Sequence, residues 1–183
     1  MIPVIQVVGY KNSGKTTLIG RLLPLLREKG VRAAVIKHDV HGFEGDVPGT
    51  DTHKFRMSGA AATAITSPWR TAVVEERESP LTDLIERFQT YDLIVIEGFK
   101  REPYPKLVLV RDEGEDLGLL DSLSDVIGVI YRPGHSCSGG DPGEAVDSAM
   151  KDIHRDYGVP VFHAENVEEI ARWIGQMFVN PGK

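Results

Sequence analysis

Short, nearly continuous apolar runs alternate along this chain with longer stretches in which apolar residues recur at helical spacing. Such runs are typical of buried parallel strands, and the longer stretches are typical of helices that cover them. The predicted strands are Ile2–Val8, Val31–Lys37, Leu93–Ile96, Val126–Tyr131 and Val159–His163. The predicted helices are Thr17–Lys29, Pro80–Thr90, Glu144–Tyr157 and Val167–Phe178. This alternation predicts a three-layer α/β fold with a mostly parallel sheet and helices on both faces.

Glycine, proline and capping residues mark the ends of several elements. Gly30 is placed to end the first helix, and Pro24 inside that helix predicts a kink or a break. Thr50–Ser58 reads as a short helix whose first residue is its cap. Asn166 and Glu169 have the spacing of a capping pair at the start of the last helix.

Three further segments read as strands without a settled place in the sheet: Ala61–Thr66, Trp69–Glu75 and Lys106–Arg111. For these, the pattern leaves antiparallel pairing or an edge position open. Lys37–Gly49 follows the second strand as a loop rich in glycine, charge and imidazole. Arg132–Gly143 is rich in glycine and serine, which predicts a mobile loop.

Composition limits the class of protein. A length of 183 residues predicts a single α/β domain, with residues 180–183 as a flexible tail. A net charge of −6 argues against a broad nucleic-acid surface, and no apolar stretch is long enough to span a membrane. One cysteine excludes an intrachain disulfide, and the start of the chain lacks the pattern of a signal peptide. We therefore expect a cytoplasmic protein.

The segment Gly9–Thr16, Gly-Tyr-Lys-Asn-Ser-Gly-Lys-Thr, has the spacing of the Walker A phosphate-binding loop. It follows a predicted strand and precedes a predicted helix, as that loop requires. Backbone N–H groups at a helix start and the helix dipole attract phosphate, and Lys15 adds a positive charge for the β- and γ-phosphates. The predicted nucleotide-binding residues are Gly9, Lys11, Asn12, Ser13, Gly14, Lys15, Thr16 and Thr17.

Acidic residues after two strands complete the predicted chemistry. Glu97 directly follows a buried strand, in the position of a Walker B acid, and with the Thr16 hydroxyl it predicts a Mg²⁺ site. Asp39 follows the second strand and is the candidate that orients an attacking water, although a turn-capping role fits it equally well. The predicted catalytic residues are therefore Lys15, Asp39 and Glu97.

A second group of polar residues is a candidate for a second anion site or a pterin site. Its members are Lys37, His38, His41, Asp46, Asp51 and Lys100, with Lys54, Arg56 and Arg101 as further cations. Scattered surface charge is the simpler interpretation for any single member. The histidines, including His135, and the cysteine Cys137 lack the spacing of a structural zinc site.

Base recognition is left open by the residues. The Asn-Lys-x-Asp motif of many GTPases is absent, because no asparagine is followed by lysine. No arginine finger in cis is apparent either. The motifs alone therefore predict a nucleoside triphosphate with Mg²⁺, without deciding between GTP and ATP, and they predict slow turnover or completion of the site by a partner.

The chain resembles the molybdopterin-guanine dinucleotide biosynthesis protein B (MobB) family. The resemblance rests on the Gly9–Thr17 loop, on the spaced polar residues of Lys37–Thr52, and on Glu97-Gly98-Phe99-Lys100 followed by Pro105-Lys106. It implies a GTP-binding protein with weak GTPase activity that assists molybdenum cofactor maturation. It also implies a homodimer, a guanylyltransferase as partner, and switch behaviour or molybdopterin contact in the Lys37–Asp51 loop.

Three alternatives remain at this stage. A small-molecule kinase on the same scaffold would pass the γ-phosphoryl group to an acceptor near Lys37–Asp51. A metallochaperone-type GTPase would carry a stoichiometric His/Cys metal site. A nucleotide-binding adapter would bind its partner without useful turnover.

Overall fold

A computed structural model describes residues 2–111, 114–133 and 142–179. His135, Cys137 and the predicted tail at 180–183 lie outside the described residues, as does most of the predicted loop from 132 to 143. The chain divides into two compact units, one formed by Met1–His38 with Phe88–Lys183 and the other by Asp39–Arg87. The prediction that the whole chain is one nucleotide-binding domain stays a prediction.

The described secondary structure follows the predicted order closely. The strands are β1 (Val4–Val8), β2 (Ala33–Lys37), β3 (Ala62–Ser67), β4 (Arg70–Glu75), β5 (Leu93–Glu97), β6 (Lys106–Arg111), β7 (Val126–Arg132) and β8 (Val161–His163). The helices are α1 (Lys15–Glu28), α2 (Asp51–Met57), α3 (Leu81–Arg87), α4 (Gly114–Asp121), α5 (Pro142–Tyr157) and α6 (Val167–Ile174).

The first unit contains a six-stranded sheet in the order β2-β5-β1-β6-β7-β8. Each neighbouring pair is parallel, which confirms the predicted α/β architecture. The strand β6 lies inside this sheet between β1 and β7, so the antiparallel or edge position that the pattern left open for Lys106–Arg111 is wrong. Its five buried positions show why: a strand with neighbours and helices around it has no solvent side.

Each face of the sheet has its own core, because successive strand side chains point to opposite faces. On one face, Ile5 and Val7 of β1 pack in a cluster with residues of α1 and α6. On the other face, Val8 packs in a cluster that includes Leu119 of α4 and Ile153 of α5. Helices therefore cover both faces, which gives the three predicted layers.

Several helix ends differ from the prediction. The helix α1 starts at Lys15 and continues without interruption through Pro24. Of the predicted kink or break at Pro24, the break is therefore wrong and the kink stays a prediction. The helix α3 ends at Arg87, and α6 ends at Ile174, where the π-helical turn Gly175–Val179 follows. The helix α4 was not predicted at all, because it is short and its apolar residues do not show a clear helical stripe.

The second unit consists of α2 and an antiparallel hairpin of β3 and β4. The Thr50 side chain accepts a hydrogen bond from the His53 N–H at 3.5 Å, so the predicted cap of α2 is confirmed. Arg56 holds the unit together through ion pairs with three carboxylates, which belong to Glu44, Asp46 and Glu76. Among the described residues, we find no helix with the length and hydrophobicity to cross a bilayer.

Candidate functional site

The loop between β1 and α1 is shaped by close backbone packing at Gly9. A Cβ at this position would lie 2.7 Å from the Ser13 Oγ and 2.9 Å from the Leu109 carbonyl oxygen. The carbonyl belongs to an interior strand and has no freedom to withdraw. Only glycine therefore fits between the loop and β6, which explains the first glycine of the motif.

The N-terminus of α1 is open to an anion. Gly14 is its N-cap, with a φ of 101°, and no side chain caps the helix. No acidic residue lies in the first turn either, so no carboxylate of α1 itself offsets its N-terminal N–H groups and its dipole. This is the arrangement that binds phosphate at helix starts.

Lys15 folds back over the loop. Its Nζ donates hydrogen bonds to the carbonyl oxygens of Tyr10, at 2.7 Å, and Gly9, at 3.2 Å. Burial lowers the pKa of the Lys15 ammonium group, whereas the nearby Glu97 carboxylate opposes this by raising it. Further cations lower the pKa of Lys15, namely Lys100, Lys37 and Arg111. The loop is therefore surrounded by positive charge, which suits a polyanionic ligand.

Glu97 lies beside the start of α1, as predicted for a Walker B acid. It ends β5, the neighbour of β1, and is 8% exposed. The Thr16 hydroxyl donates to both carboxylate oxygens of Glu97, at 2.9 and 3.1 Å, and the Lys37 Nζ lies 3.4 Å from one of them. A hydroxyl and a carboxylate side by side are hard oxygen donors of the kind that Mg²⁺ prefers.

Gln6 of β1 holds the turn that follows Glu97 through hydrogen bonds. The Gln6 side chain is fully buried and donates to the carbonyl oxygens of Gly98, at 3.0 Å, and Phe99, at 2.8 Å. Phe99 has a positive φ of 52°, and its ring stacks on His38 with centroids 4.4 Å apart. The turn therefore places the stacked His38–Phe99 pair, and a backbone held by the Gln6 hydrogen bonds, beside the Glu97 carboxylate.

Two lysines flank this turn in different ways. The Lys100 Nζ lies 4.5 Å from the centre of the Tyr10 ring, which ties the turn to the phosphate loop. Lys106 is fully buried, and its Nζ donates to the carbonyl oxygens of Glu102, at 2.6 Å, and Tyr104, at 2.9 Å. Burial lowers the pKa of Lys106. Lys106 therefore anchors the far end of the turn.

Sequence reasoning missed two arginines near the loop. The Arg132 Nη1 lies 3.0 Å from the position that a Cβ on Gly14 would take. Arg111 is close enough to Lys15 to lower its pKa, and it is held by the buried Asp116 at 2.9 Å. Each arginine is the last residue of its strand, β6 or β7. A charged residue ending a buried parallel strand was the signal that identified Glu97, and it would have found both.

The members of the second predicted site are divided between the two units. Lys37, His38 and Lys100 belong to the first unit and lie around the end of β5, as the contacts above show. The remaining members, His41, Asp46 and Asp51, belong to the second unit, as does the catalytic candidate Asp39.

The acids of the second unit have local partners. The Asp39 side chain accepts from the His41 N–H at 3.0 Å, which is a turn contact. Asp46 accepts from Thr52 at 3.2 Å and pairs with Arg56, and Asp51 pairs with Lys54 at 3.2 Å. These contacts favour structural roles for Asp46 and Asp51. Across the described residues, no group of three or more His, Cys, Asp or Glu side chains is placed to hold a metal ion.

Comparison with known proteins agrees with this geometry. The family described as "Molybdopterin guanine dinucleotide synthesis protein B" matches residues 4–132. A probable molybdopterin-guanine dinucleotide biosynthesis adapter protein from Bacillus subtilis is 36% identical over 168 residues, covering 90% of this chain and 87% of the relative. The adapter protein of that name from Escherichia coli is 41% identical over 118 residues, covering 61% of this chain and 67% of the relative.

Solved structures lead to the same family. The structure of MobB from Bacillus subtilis is similar to this chain with a TM-score of 0.69 and 30% identity, and the likeness covers all of both chains. The match therefore extends past the family segment into β8 and α6. This chain belongs to the molybdopterin guanine dinucleotide synthesis protein B family.

Proposed function

We propose that this chain binds GTP with Mg²⁺, hydrolyses it slowly, and serves as an adapter in the biosynthesis of molybdopterin guanine dinucleotide. The adapter role is supported by relatives that carry that name. The nucleotide role is supported by one observation above the rest: the contact of Thr16 with Glu97 at the open end of α1.

That contact joins two parts of one chemical site. The loop supplies N–H donors for a triphosphate, and Lys15 has carbonyl partners that a phosphate oxygen can replace. Thr16 and Glu97 would hold Mg²⁺, which when bound neutralises charge on the β- and γ-phosphates. The residues fit this ion because both donors are hard oxygens on neighbouring elements.

Hydrolysis in this proposal depends mainly on positioning and charge neutralisation. Lys15 and the cations around it stabilise negative charge that moves onto the leaving phosphate oxygens. Asp39 orients the attacking water in our proposal, and its turn contact with His41 sets its side chain. Asp39→Asn would then lower kcat while GTP affinity stays within about twofold, since an orienting residue acts in the transition state.

The second unit supports a role in association. Several of its large apolar side chains are exposed, including Trp69 at 91% and Phe43 at 79%. Exposed apolar side chains in such number are typical of interaction surfaces. We propose that this unit contributes to a homodimer and to contact with the molybdenum cofactor guanylyltransferase in the cytoplasm. Molybdopterin would meet Lys37, His38 and Lys100 of the first unit.

The experiment is a competition titration of GTP against ATP, with and without Mg²⁺, on the wild type and on Lys15→Ala and Glu97→Gln. We expect GTP preference, a loss of at least tenfold in affinity for Lys15→Ala, and loss of the Mg²⁺ enhancement for Glu97→Gln. Lys29→Ala, an exposed lysine at the end of α1, is the matched control. Preference for ATP, or an unchanged Mg²⁺ effect in Glu97→Gln, would contradict the proposal.

The fate of the γ-phosphate tests the reaction itself. Labelled γ-phosphate should appear as free phosphate, and label on a small molecule would instead indicate a kinase. Adapter function is tested by capture of the guanylyltransferase. If Lys15→Ala lost nucleotide binding but kept normal capture and normal cofactor yield, hydrolysis would have no role in the adapter function.

A further inference from the structure

A cleft lies beside the phosphate loop on the side away from Glu97. One wall is formed by the loop and α1, through Ser13, Gly14 and Thr17. The facing wall is formed by the carboxyl ends of the outer strands, through Arg132 and Glu165. Leu18, Arg21, Leu109 and Ala164 complete the lining. We call this space the β8-side cleft.

The sheet order gives the cleft its place on a bound nucleotide. Glu97 ends β5 on one side of β1, whereas β6, β7 and β8 follow on the other side. In the proposed function, Thr16 and Glu97 would hold Mg²⁺ on the β5 side of the loop, where it would neutralise the end of the phosphate chain. A nucleotide bound in that direction would place its nucleoside on the opposite side of the loop, toward the β8-side cleft.

The charges in the cleft also favour binding of the α-phosphate of a nucleotide. The Arg132 guanidinium lies against Gly14, at the N-terminus of a helix that no acid caps. The helix dipole repels a cation at this end of a helix, and Arg132 lowers the pKa of Glu165, so that carboxylate offsets part of the positive charge. The α-phosphate of a nucleotide would add an anion beside both the Arg132 guanidinium and the N-terminus of α1.

The outer end of the cleft carries the Glu165 carboxylate, which hydrogen bonds hold in position. Glu165 follows β8, and its Oε2 accepts from the Arg21 Nη1 at 2.7 Å. The second Arg21 nitrogen, Nη2, donates to the Glu165 carbonyl oxygen at 3.2 Å, and the Glu165 N–H donates to the His163 Nδ1 at 3.2 Å. Arg21 lowers the pKa of Glu165, so the side chain is ionised at neutral pH and acts only as an acceptor.

A carboxylate with free lone pairs selects between purines by their hydrogen-bond donors. Guanine carries two adjacent donors, N1–H and the 2-amino group, whereas adenine carries an acceptor at N1 and no 2-amino group. Two donors fit the two oxygens of one carboxylate, even when one oxygen also accepts from arginine. We infer that the nucleoside of the bound nucleotide lies over the mouth of the β8-side cleft, whose volume is about 90 Å³, and that Glu165 selects guanine. This inference rests on the proposed function and replaces the absent Asn-Lys-x-Asp motif with a different acid.

The test is an equilibrium titration of the full chain with GTP, ITP, XTP and ATP, in wild type and Glu165→Gln. Wild type should bind GTP at least tenfold more tightly than ITP, which lacks the 2-amino donor, and than ATP. A glutamine presents one acceptor and one donor, which matches the N1–H and the 2-oxo group of xanthine. Glu165→Gln should therefore lose about tenfold or more in GTP affinity and gain in XTP affinity.

Controls separate this inference from the proposed function. Glu168→Gln makes the same chemical change on α6, outside the lining of the cleft, and should keep the wild-type order of affinities. Inorganic tripolyphosphate reports the phosphate loop without a base, and its binding shows that Glu165→Gln is folded. The inference alone would be overturned if tripolyphosphate bound and the four nucleotides bound with equal affinity. It would also be overturned if the ratio of GTP affinity to XTP affinity were unchanged in Glu165→Gln. Failure of tripolyphosphate and every nucleotide to bind would overturn the proposed function with it.

Discussion

Gly9→Ala is the sharpest perturbation of the phosphate loop. The added methyl group would lie 2.7 Å from the Ser13 Oγ and 2.9 Å from the Leu109 carbonyl oxygen, inside van der Waals distance of both. Ser13 is fully buried, and Leu109 belongs to a strand with parallel neighbours on both sides. The Ser13 Oγ has no hydrogen-bond partner among the described residues, but the Leu109 carbonyl oxygen cannot move without disturbing β6, so the loop itself must shift.

The cost follows from that rigidity. Adding a methylene to a close-packed region costs about 1–3 kcal/mol, and a backbone obstacle places this site at about 2–3 kcal/mol. For a chain of this size, that loss lowers Tm by about 5–10 °C. A shifted loop also misdirects its N–H donors, so we expect GTP affinity to fall by at least tenfold.

Gly20→Ala is the matched control. Gly20 lies within α1, and a Cβ there meets nothing within 4 Å. The same substitution should therefore stabilise the protein by about 0.5–1 kcal/mol, because alanine favours helix and restricts the unfolded chain. Urea unfolding and nucleotide titration of both variants measure the contrast. A Gly9→Ala protein with wild-type stability and wild-type GTP affinity would refute the argument that close packing shapes the loop.

Three other predictions concern residues outside the loop. Asp116→Asn should lower the free energy of unfolding by about 2–3 kcal/mol at pH 7, because Arg111 loses its charged partner. Burial alone would raise the pKa of Asp116, but Arg111 lowers it below the ordinary value of 3.8. The contribution of the pair is therefore full above pH 3.8 and is lost as the pH falls through the lower pKa of the folded state, where the free energies of unfolding of the two proteins should converge. Lys106→Met should change stability by less than about 1 kcal/mol, since removing a buried ammonium group offsets two lost hydrogen bonds, yet amide exchange at Arg101, Glu102 and Tyr104 should become faster. Arg56→Lys keeps the charge but loses the fork that joins three carboxylates, so exchange at 43–47 should rise and stability should fall by about 1–2 kcal/mol.

Each of these has a result that would contradict it. A stability difference between Asp116→Asn and wild type that did not shrink as the pH fell from 7 to about 2.5 would exclude the ionised pair as its source. Unchanged exchange at Arg101, Glu102 and Tyr104 in Lys106→Met would mean that the turn does not depend on its lysine anchor. Unchanged exchange at 43–47 in Arg56→Lys would show that charge alone organises the second unit.

The sequence predicted the elements whose signals are local. Strand, glycine loop and helix stand together in the first 28 residues, and the loop residues follow from the spacing of two glycines, a lysine and a threonine. Apolar runs identified the parallel strands because a strand buried on both faces needs no polar alternation. The helix α4 was not predicted from the sequence, because short helices depend on packing more than on periodicity.

What only the tertiary structure decided is which distant residues meet. Thr16 and Glu97 are 81 positions apart, and they touch because β5 pairs directly with β1. Arg132 and Glu165 reach the cleft beside Gly14 because β7 and β8 end at the same edge of the sheet. Local spacing cannot order the strands of a sheet, since that order is set by how the helices pack across its two faces. The proposed phosphate site could therefore be predicted from one segment, whereas the proposed base-selecting side depends on the assembled sheet.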